Sequence, residues 1–136
     1  MPYQIFIVED HPVMQQAYAS ALEREPDLAL CGLAASAEEA LEILKETSCD
    51  LVIVDVSLPG MDGIAFTEHL LVIQPDLPIL IISGHDEAML GTRARRAGAC
   101  AYLNKRGLVE VLASAIWKEL NKGTSPKSAR GYLPPN

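Results

Sequence analysis

The run Leu51-Val52-Ile53-Val54 contains no polar residue, ends abruptly in Asp55, and is followed at once by the turn-forming stretch Ser57-Leu58-Pro59-Gly60. An unbroken β-branched and leucine run of that length reads as a strand buried on both faces, which a parallel sheet covered by helices on either side provides. A chain built around such a strand is committed to alternating α/β layers. The strand also delivers one carboxylate to the edge of the sheet, and Asp55 is that carboxylate.

The flanking sequence repeats the pattern. Tyr3–Val8 predicts a first strand closed by Glu9-Asp10, and Pro12 suits the first turn of a helix that passes through Ala17–Leu22 and stops near Pro26. Leu28–Leu33 predicts a second strand. Ser36-Ala37-Glu38-Glu39 is a capping box, and the helix it opens carries Ala37, Ala40, Leu41 and Leu44 on one face. Asp62-Gly63 starts a third helix, with Asp62 as its N-cap, running through Phe66, Leu70 and Ile73 to Pro75. Pro78–Ile82 is strand four, ending in Ser83-Gly84. A helix then runs to Gly98, placed as a C-cap, and Ala99–Leu103 is strand five, ending in Asn104-Lys105. The last helix shows Leu108, Val111, Leu112, Ala115 and Ile116 at the spacing of a buried stripe. Trp117 falls off that stripe, which predicts packing under the tail (against Tyr132, for instance) or a contact with a second copy or an output domain.

Five strand–helix alternations predict one doubly wound parallel sheet with helices on both faces. The spatial strand order 2-1-3-4-5 is an analogy with five-stranded flavodoxin-like sheets. Residues 1–121 form one domain on this reading. Residues 122–136, rich in Gly, Ser, Pro and Lys and without period, read as a linker or mobile tail.

Composition narrows the function. The formal charge is −7, and the last fifteen residues hold three cations and no acid, which leaves −10 on residues 1–121. That argues against nonspecific nucleic-acid binding by the domain and favours cations. No apolar run approaches the ~18 residues of a membrane span, and no secretory segment opens the chain. Cys31, Cys49 and Cys100 are odd in number and scattered, and read as reduced, mostly buried thiols of a cytoplasmic protein, neither a disulfide framework nor a metal site. His11, His69 and His85 read as solvated surface positions.

In an open parallel sheet, ligands bind beyond the carboxyl ends of the strands. The expected order sets strand one beside strand three, crowding Glu9, Asp10 and Asp55 together. Their mutual repulsion would raise at least one pKa unless a divalent cation intervened, and Mg²⁺ suits a few carboxylates plus phosphate oxygen. One carboxylate could then attack phosphorus, with Lys105 and Ser83 supplying charge and donors to the transferring group.

These residues resemble a response-regulator receiver domain of two-component signalling. The resemblance rests on Glu9-Asp10, the isolated Asp55 with Pro59 and Gly63 behind it, Ser83 before a small residue, and Tyr102 three before Lys105. It spans roughly Gln4 to Leu120. It implies that Asp55 is the phosphoacceptor, served by a histidine kinase, a phosphotransfer protein or a small phosphodonor. Glu9, Asp10, Asp55 and the Ser57 backbone carbonyl would surround Mg²⁺, and Lys105 would pair with the phosphoryl group. Ser83 and Tyr102 would form the switch, while Ser57 and His85 would tune the lifetime of the phosphorylated state.

Glu9-Asp10-His11-Pro12-Val13 is similar to the opening of the NarL/FixJ branch, whose members attach a helix-turn-helix DNA-binding domain, and Gly131-Tyr132-Leu133-Pro134-Pro135 looks like the start of that branch's linker. The resemblance therefore implies homodimerisation, and contact with DNA only through an output domain absent from this chain; a stand-alone receiver is the other possibility. Where many receivers have a cis proline after the lysine, this chain has Arg106-Gly107, so a trans bond is expected, with Gly107 absorbing the turn. Two rival readings lack the residues they need. A haloacid-dehalogenase-like phosphatase needs a second acid where Ser57 stands, and a flavodoxin-like nucleotide or flavin binder needs a phosphate-cradling loop where the acidic Glu9-Asp10-His11-Pro12 stands.

Overall fold

The structure, a computed structural model, describes residues 2–85 and 88–122. Ten elements alternate: β1 (Tyr3–Val8), α1 (Pro12–Glu23), β2 (Leu28–Ala34), α2 (Ala37–Leu44), β3 (Leu51–Asp55), α3 (Gly63–Ile73), β4 (Ile79–Ser83), α4 (Ala88–Ala97), β5 (Ala101–Asn104) and α5 (Leu108–Leu120). All strand pairs are parallel, in the order β2-β1-β3-β4-β5. The expected fold and order are both present.

Side chains alternate across the sheet with period two, and each face has its own core. Phe6, Val8, Val52, Val54, Ile79 and Ile81 pack with α2, α3 and α4 residues such as Leu44, Phe66, Leu70 and Ala94. Tyr3, Ile5, Ile7, Ile53, Leu80 and Ile82 pack with Tyr18 and Leu22 of α1 and Leu112 and Ile116 of α5. Every residue of β3 and β4 is buried, which is why those strands carry no alternation in their sequence.

Local signals act where expected. Ser36 Oγ accepts the Glu39 N–H (3.1 Å) while Glu39 Oε1 accepts the Ala35 N–H (2.9 Å). Asp62 Oδ1 accepts the Ala65 N–H at 2.8 Å, capping α3. Gly98 sits at φ +108°; its N–H bonds the Arg95 carbonyl, and the Ala99 N–H bonds that of Ala94. That cap consumes Gly98 and Ala99, so β5 starts at Ala101, two residues later than its hydrophobicity suggests.

The last helix corrects the sequence reading. Val111 is 52% exposed, and the buried stripe instead runs Leu108, Leu112, Ile116 and Leu120. Trp117 is buried too, its ring edge-on to Tyr3 with centroids 5.6 Å apart. α5 packs on both the sheet and α1, so its buried face is wider than one stripe. Trp117 is therefore a core residue and not an exposed contact; Tyr132 and the expected tail from residue 123 lie outside the described residues. The three cysteines are free and half-buried. Among the described residues no helix is long and apolar enough to cross a membrane.

Candidate functional site

Parallel register sets the site. Val8 pairs with Val54, Asp55 with Ile82, and Ser83 with Asn104, so the residues that follow β1, β3, β4 and β5 leave the sheet along one edge. Glu9 is fully buried there, and Gln15 of α1 donates its side-chain amide to the Glu9 carbonyl at 2.6 Å, tying the strand end to the helix. Asp55 is 1% exposed. Its Oδ1 accepts the Ser57 N–H (3.0 Å) and its Oδ2 accepts from Lys105 Nζ (2.8 Å). Lys105 Nζ lies equally close, 2.8 Å, to Glu9 Oε1. One ammonium thus bridges two buried carboxylates.

Lys105 reaches inward because its own N–H bonds the Ser83 carbonyl (2.8 Å), and Gly107 at φ +73° turns the chain into α5. No peptide bond among the described residues is cis, as expected for Lys105-Arg106. Gly63 matters more than a turn-former would. A Cβ there would run into the Asp55 carbonyl, and its N–H bonds the Val56 carbonyl at 3.0 Å, so α3 starts directly behind the acid.

Charge and burial compete at each group. Burial pushes the Glu9 carboxyl upward, but hydrogen bonds from Lys105 and His11 outweigh it and hold the group below its ordinary value. Burial dominates at Asp55; with the nearby Glu9 charge it leaves that carboxyl raised despite Lys105 and the Ser57 N–H. Burial alone would lower Lys105, yet its bonds to Asp55 and Glu9 raise it. Burial also raises the Tyr18 hydroxyl, to about 12.

Glu9, Asp10, His11 and Asp55 each offer a ligating atom, all within 4.8 Å of one another. Asp10 Oδ1 is buried and accepts no hydrogen bond, although His11 Nδ1 stands 3.3 Å away. Converging carboxylate oxygens with lone pairs to spare match a hard, oxygen-seeking divalent cation. From sequence, His11 is a solvated surface position. Its ring is exposed, but Nδ1 sits 3.0 Å from Glu9 Oε2 and its N–H donates to the same oxygen. Neither His11 nor Gln15 announces itself in the sequence, because both act through geometry created by the β1–α1 turn. The N-cap position of α1 is His11, which makes no side-chain capping bond, so Asp10 does not cap the helix.

The remaining expected residues lie beside the cluster. Ser83 is buried, with Oγ accepting the His85 N–H at 3.0 Å. Tyr102 is half-buried and donates its hydroxyl to the His85 carbonyl at 3.1 Å. Ser83 and Tyr102 are thus joined through the backbone of one residue. The Tyr102 ring also lines an open pocket of about 540 Å³ shared with His85, Gly91, Arg95 and Asn104. The Ser57 and His85 side chains are exposed.

Known proteins resemble this chain in sequence and fold. Residues 5–116 match the family described as "Response regulator receiver domain". The response regulator GacA of Pseudomonas aeruginosa is 30% identical over 113 residues, covering 83% of this chain and 53% of GacA. The transcriptional activator protein ExaE of Pseudomonas putida is 35% identical over 116 residues, 85% of this chain and 54% of ExaE. The chain thus spans about half the length of the curated relatives it matches. A LuxR-family two-component response regulator from Aurantimonas sp. SI85-9A1 superposes with a TM-score of 0.83 at 34% identity, covering 88% of this chain and 86% of that one. The signal receiver domain of NarL from Mycobacterium tuberculosis gives 0.83 at 25% identity, covering 89% and 98%. With the sheet order, the acidic edge and the match over residues 5–116 in agreement, this chain belongs to the response-regulator receiver domain family.

Proposed function

We propose that Asp55 is the phosphoacceptor of this receiver. The observation that carries the reading is Lys105 Nζ at 2.8 Å from both Asp55 and Glu9, with Asp10 beside them. An Asp55 carboxylate oxygen attacks phosphorus in a partner kinase's phosphohistidine or a small phosphodonor. The new P–O bond forms as the bond to the leaving group breaks, and the leaving group departs with the bonding electron pair, as the kinase's imidazole or the small donor's carboxylate. The Lys105 ammonium is placed to neutralise the phosphoryl oxygens, and the Ser57 N–H holds the Asp55 carboxylate in position. Glu9, Asp10, Asp55 and the Ser57 carbonyl would hold Mg²⁺, which supplies Lewis-acid neutralisation of phosphoryl oxygen and carboxylate charge.

The product adds about 1.5–2 negative charges at the sheet edge. Ser83 gives up its bond to the His85 N–H to reach the phosphoryl group, and Tyr102, held to the same residue, moves with it. Ser57 and His85, exposed on either side, set how easily water reaches the acyl phosphate. On this reading residues 1–121 form the receiver and residues 122–136 lead to a DNA-binding, transcription-regulating domain. Phosphorylation in the cytoplasm by a histidine kinase or phosphotransfer protein then changes homodimerisation or frees that domain.

Incubation with acetyl phosphate and Mg²⁺, followed by intact-mass measurement, tests the central step. The expected product is one hydroxylamine-labile phosphoryl adduct that disappears with EDTA and in Asp55→Ala. An undiminished adduct in Asp55→Ala would overturn the assignment.

A further inference from the structure

Glu9 divides its two oxygens between two neighbours. Oε1 lies 2.8 Å from Lys105 Nζ, while Oε2 lies 3.0 Å from His11 Nδ1 and also accepts the His11 N–H at 3.2 Å. The same Nδ1 stands 3.3 Å from Asp10 Oδ1, a buried oxygen that accepts no hydrogen bond. The backbone explains why the ring turns back toward the acids. Pro12 keeps His11 extended, at φ −89° and ψ 116°, and the His11 side chain makes no capping bond to α1. A backbone N–H fixed on Glu9 and a side chain uncommitted to the helix leave Nδ1 beside both carboxylates.

These spacings are those of a coordination shell. Bonds of about 2.1 Å set neighbouring ligand atoms of an octahedral cation about 3.0 Å apart and opposite ones about 4.2 Å apart. Nδ1 meets Glu9 Oε2 at 3.0 Å and Asp10 Oδ1 at 3.3 Å, and the ligand atoms of Glu9, Asp10, His11 and Asp55 lie within 4.8 Å of one another. The Lys105 ammonium engages Glu9 Oε1 and Asp55 Oδ2, different atoms from those that face His11. A nitrogen in the shell changes which ion it favours. Mg²⁺ takes oxygen and gains little from imidazole, whereas first-row transition ions bind imidazole well, with affinity rising from Mn²⁺ through Fe²⁺ to Co²⁺. His69 and His85 join no such group among the described residues.

Resting on the metal centre put forward above, we propose that His11 Nδ1 is a further ligand of that centre and tilts it from Mg²⁺ toward a first-row transition ion. The metal replaces the proton between Nδ1 and Glu9 Oε2. The ring keeps a proton on Nε2 and gives its Nδ1 lone pair to the ion, and any second proton passes to solvent. The His11 side chain is 63% exposed, so an ion reaches the ring directly from water. Asp55 keeps the role given to it above.

Isothermal titration of the full chain with Co²⁺ and, separately, with Mg²⁺ at one fixed pH reads the selectivity. His11→Gln should weaken Co²⁺ binding roughly tenfold or more and Mg²⁺ binding by no more than about twofold. Asp10→Asn should weaken both, because it removes an oxygen that either ion uses. Zn²⁺ added to ¹⁵N-labelled wild type should shift the His11 Nδ1 resonance while those of His69 and His85 stay in place, and this decides the matter even if a variant fails to fold. An unmoved His11 Nδ1, no loss of Co²⁺ affinity in His11→Gln, or equal losses for Co²⁺ and Mg²⁺ would each overturn the His11 assignment alone. Failure of both ions to bind the wild type would overturn the three-acid centre itself, and this proposal with it.

Discussion

Replacing Lys105 by methionine removes the one cation that bridges Glu9 and Asp55. The Lys105 side chain is 17% exposed, whereas the carboxylate side chains are 0% and 2% exposed, so both acids would remain buried without their shared cation. Removing one partner of a buried ion pair costs roughly 3–5 kcal/mol; partial access of water to Lys105 puts this site at the low end, about 3 kcal/mol. For a domain of this size that is a fall in Tm of roughly 10 °C. Without Lys105, burial and mutual repulsion push both carboxyls upward, Asp55 further above its ordinary value of 3.8 and Glu9 up from its lowered one. A group raised on folding contributes stability that is present below its unfolded pKa and lost as pH rises through its folded pKa. The variant's deficit should therefore be full at pH 7 and shrink toward pH 4. In the wild type Glu9 is held low, so its contribution runs the other way, present above 4.5 and lost in acid, which narrows the gap further. Urea titrations read by Trp117, the only tryptophan and buried against Tyr3, measure both chains. Mg²⁺ at a hundredfold over its Kd should restore about 2.7 kcal/mol to the variant. A deficit under about 1 kcal/mol at pH 7, the same deficit at pH 4, or no rescue by Mg²⁺ would refute the reasoning.

Other perturbations separate structure from chemistry. Asp55→Asn should raise the urea midpoint at pH 7 with an unchanged slope, because burial already disfavours that charge and Glu9 keeps Lys105 paired, while abolishing the phosphoryl adduct. Gly63→Ala should reduce adduct formation with acetyl phosphate at least tenfold, about 1.4 kcal/mol, since its methyl group displaces the Asp55 carbonyl. Ser36→Ala should cost about 1 kcal/mol by urea titration and leave the adduct intact, because it removes the α2 cap alone. Trp117→Ala, followed by circular dichroism, should cost about 3–5 kcal/mol; a loss under 1 kcal/mol would mean that the ring does not fill the α5–sheet core.

Much of this protein is legible without coordinates because its strongest signals are local. The apolar run before Asp55, the Ser36 capping box, the Asp62 cap and the glycine at Gly98 each act within a few residues, and each appears where the sequence places it. The acids at the ends of β1 and β3 and the lysine after β5 were identifiable because a parallel sheet gathers strand ends at one edge. The misread elements depend on what lies across space. Val111 and Trp117 exchange roles because α5 rests on α1 as well as the sheet, which helical periodicity cannot express. His11, Gln15 and Gly63 gain their importance from the β1–α1 turn and the approach of α3 to the Asp55 carbonyl. Residue order alone determined which groups stand at strand ends, since that follows from local periodicity and turns. Only packing decided which of them share a lysine, because those distances are set by helices and strands far apart in the chain.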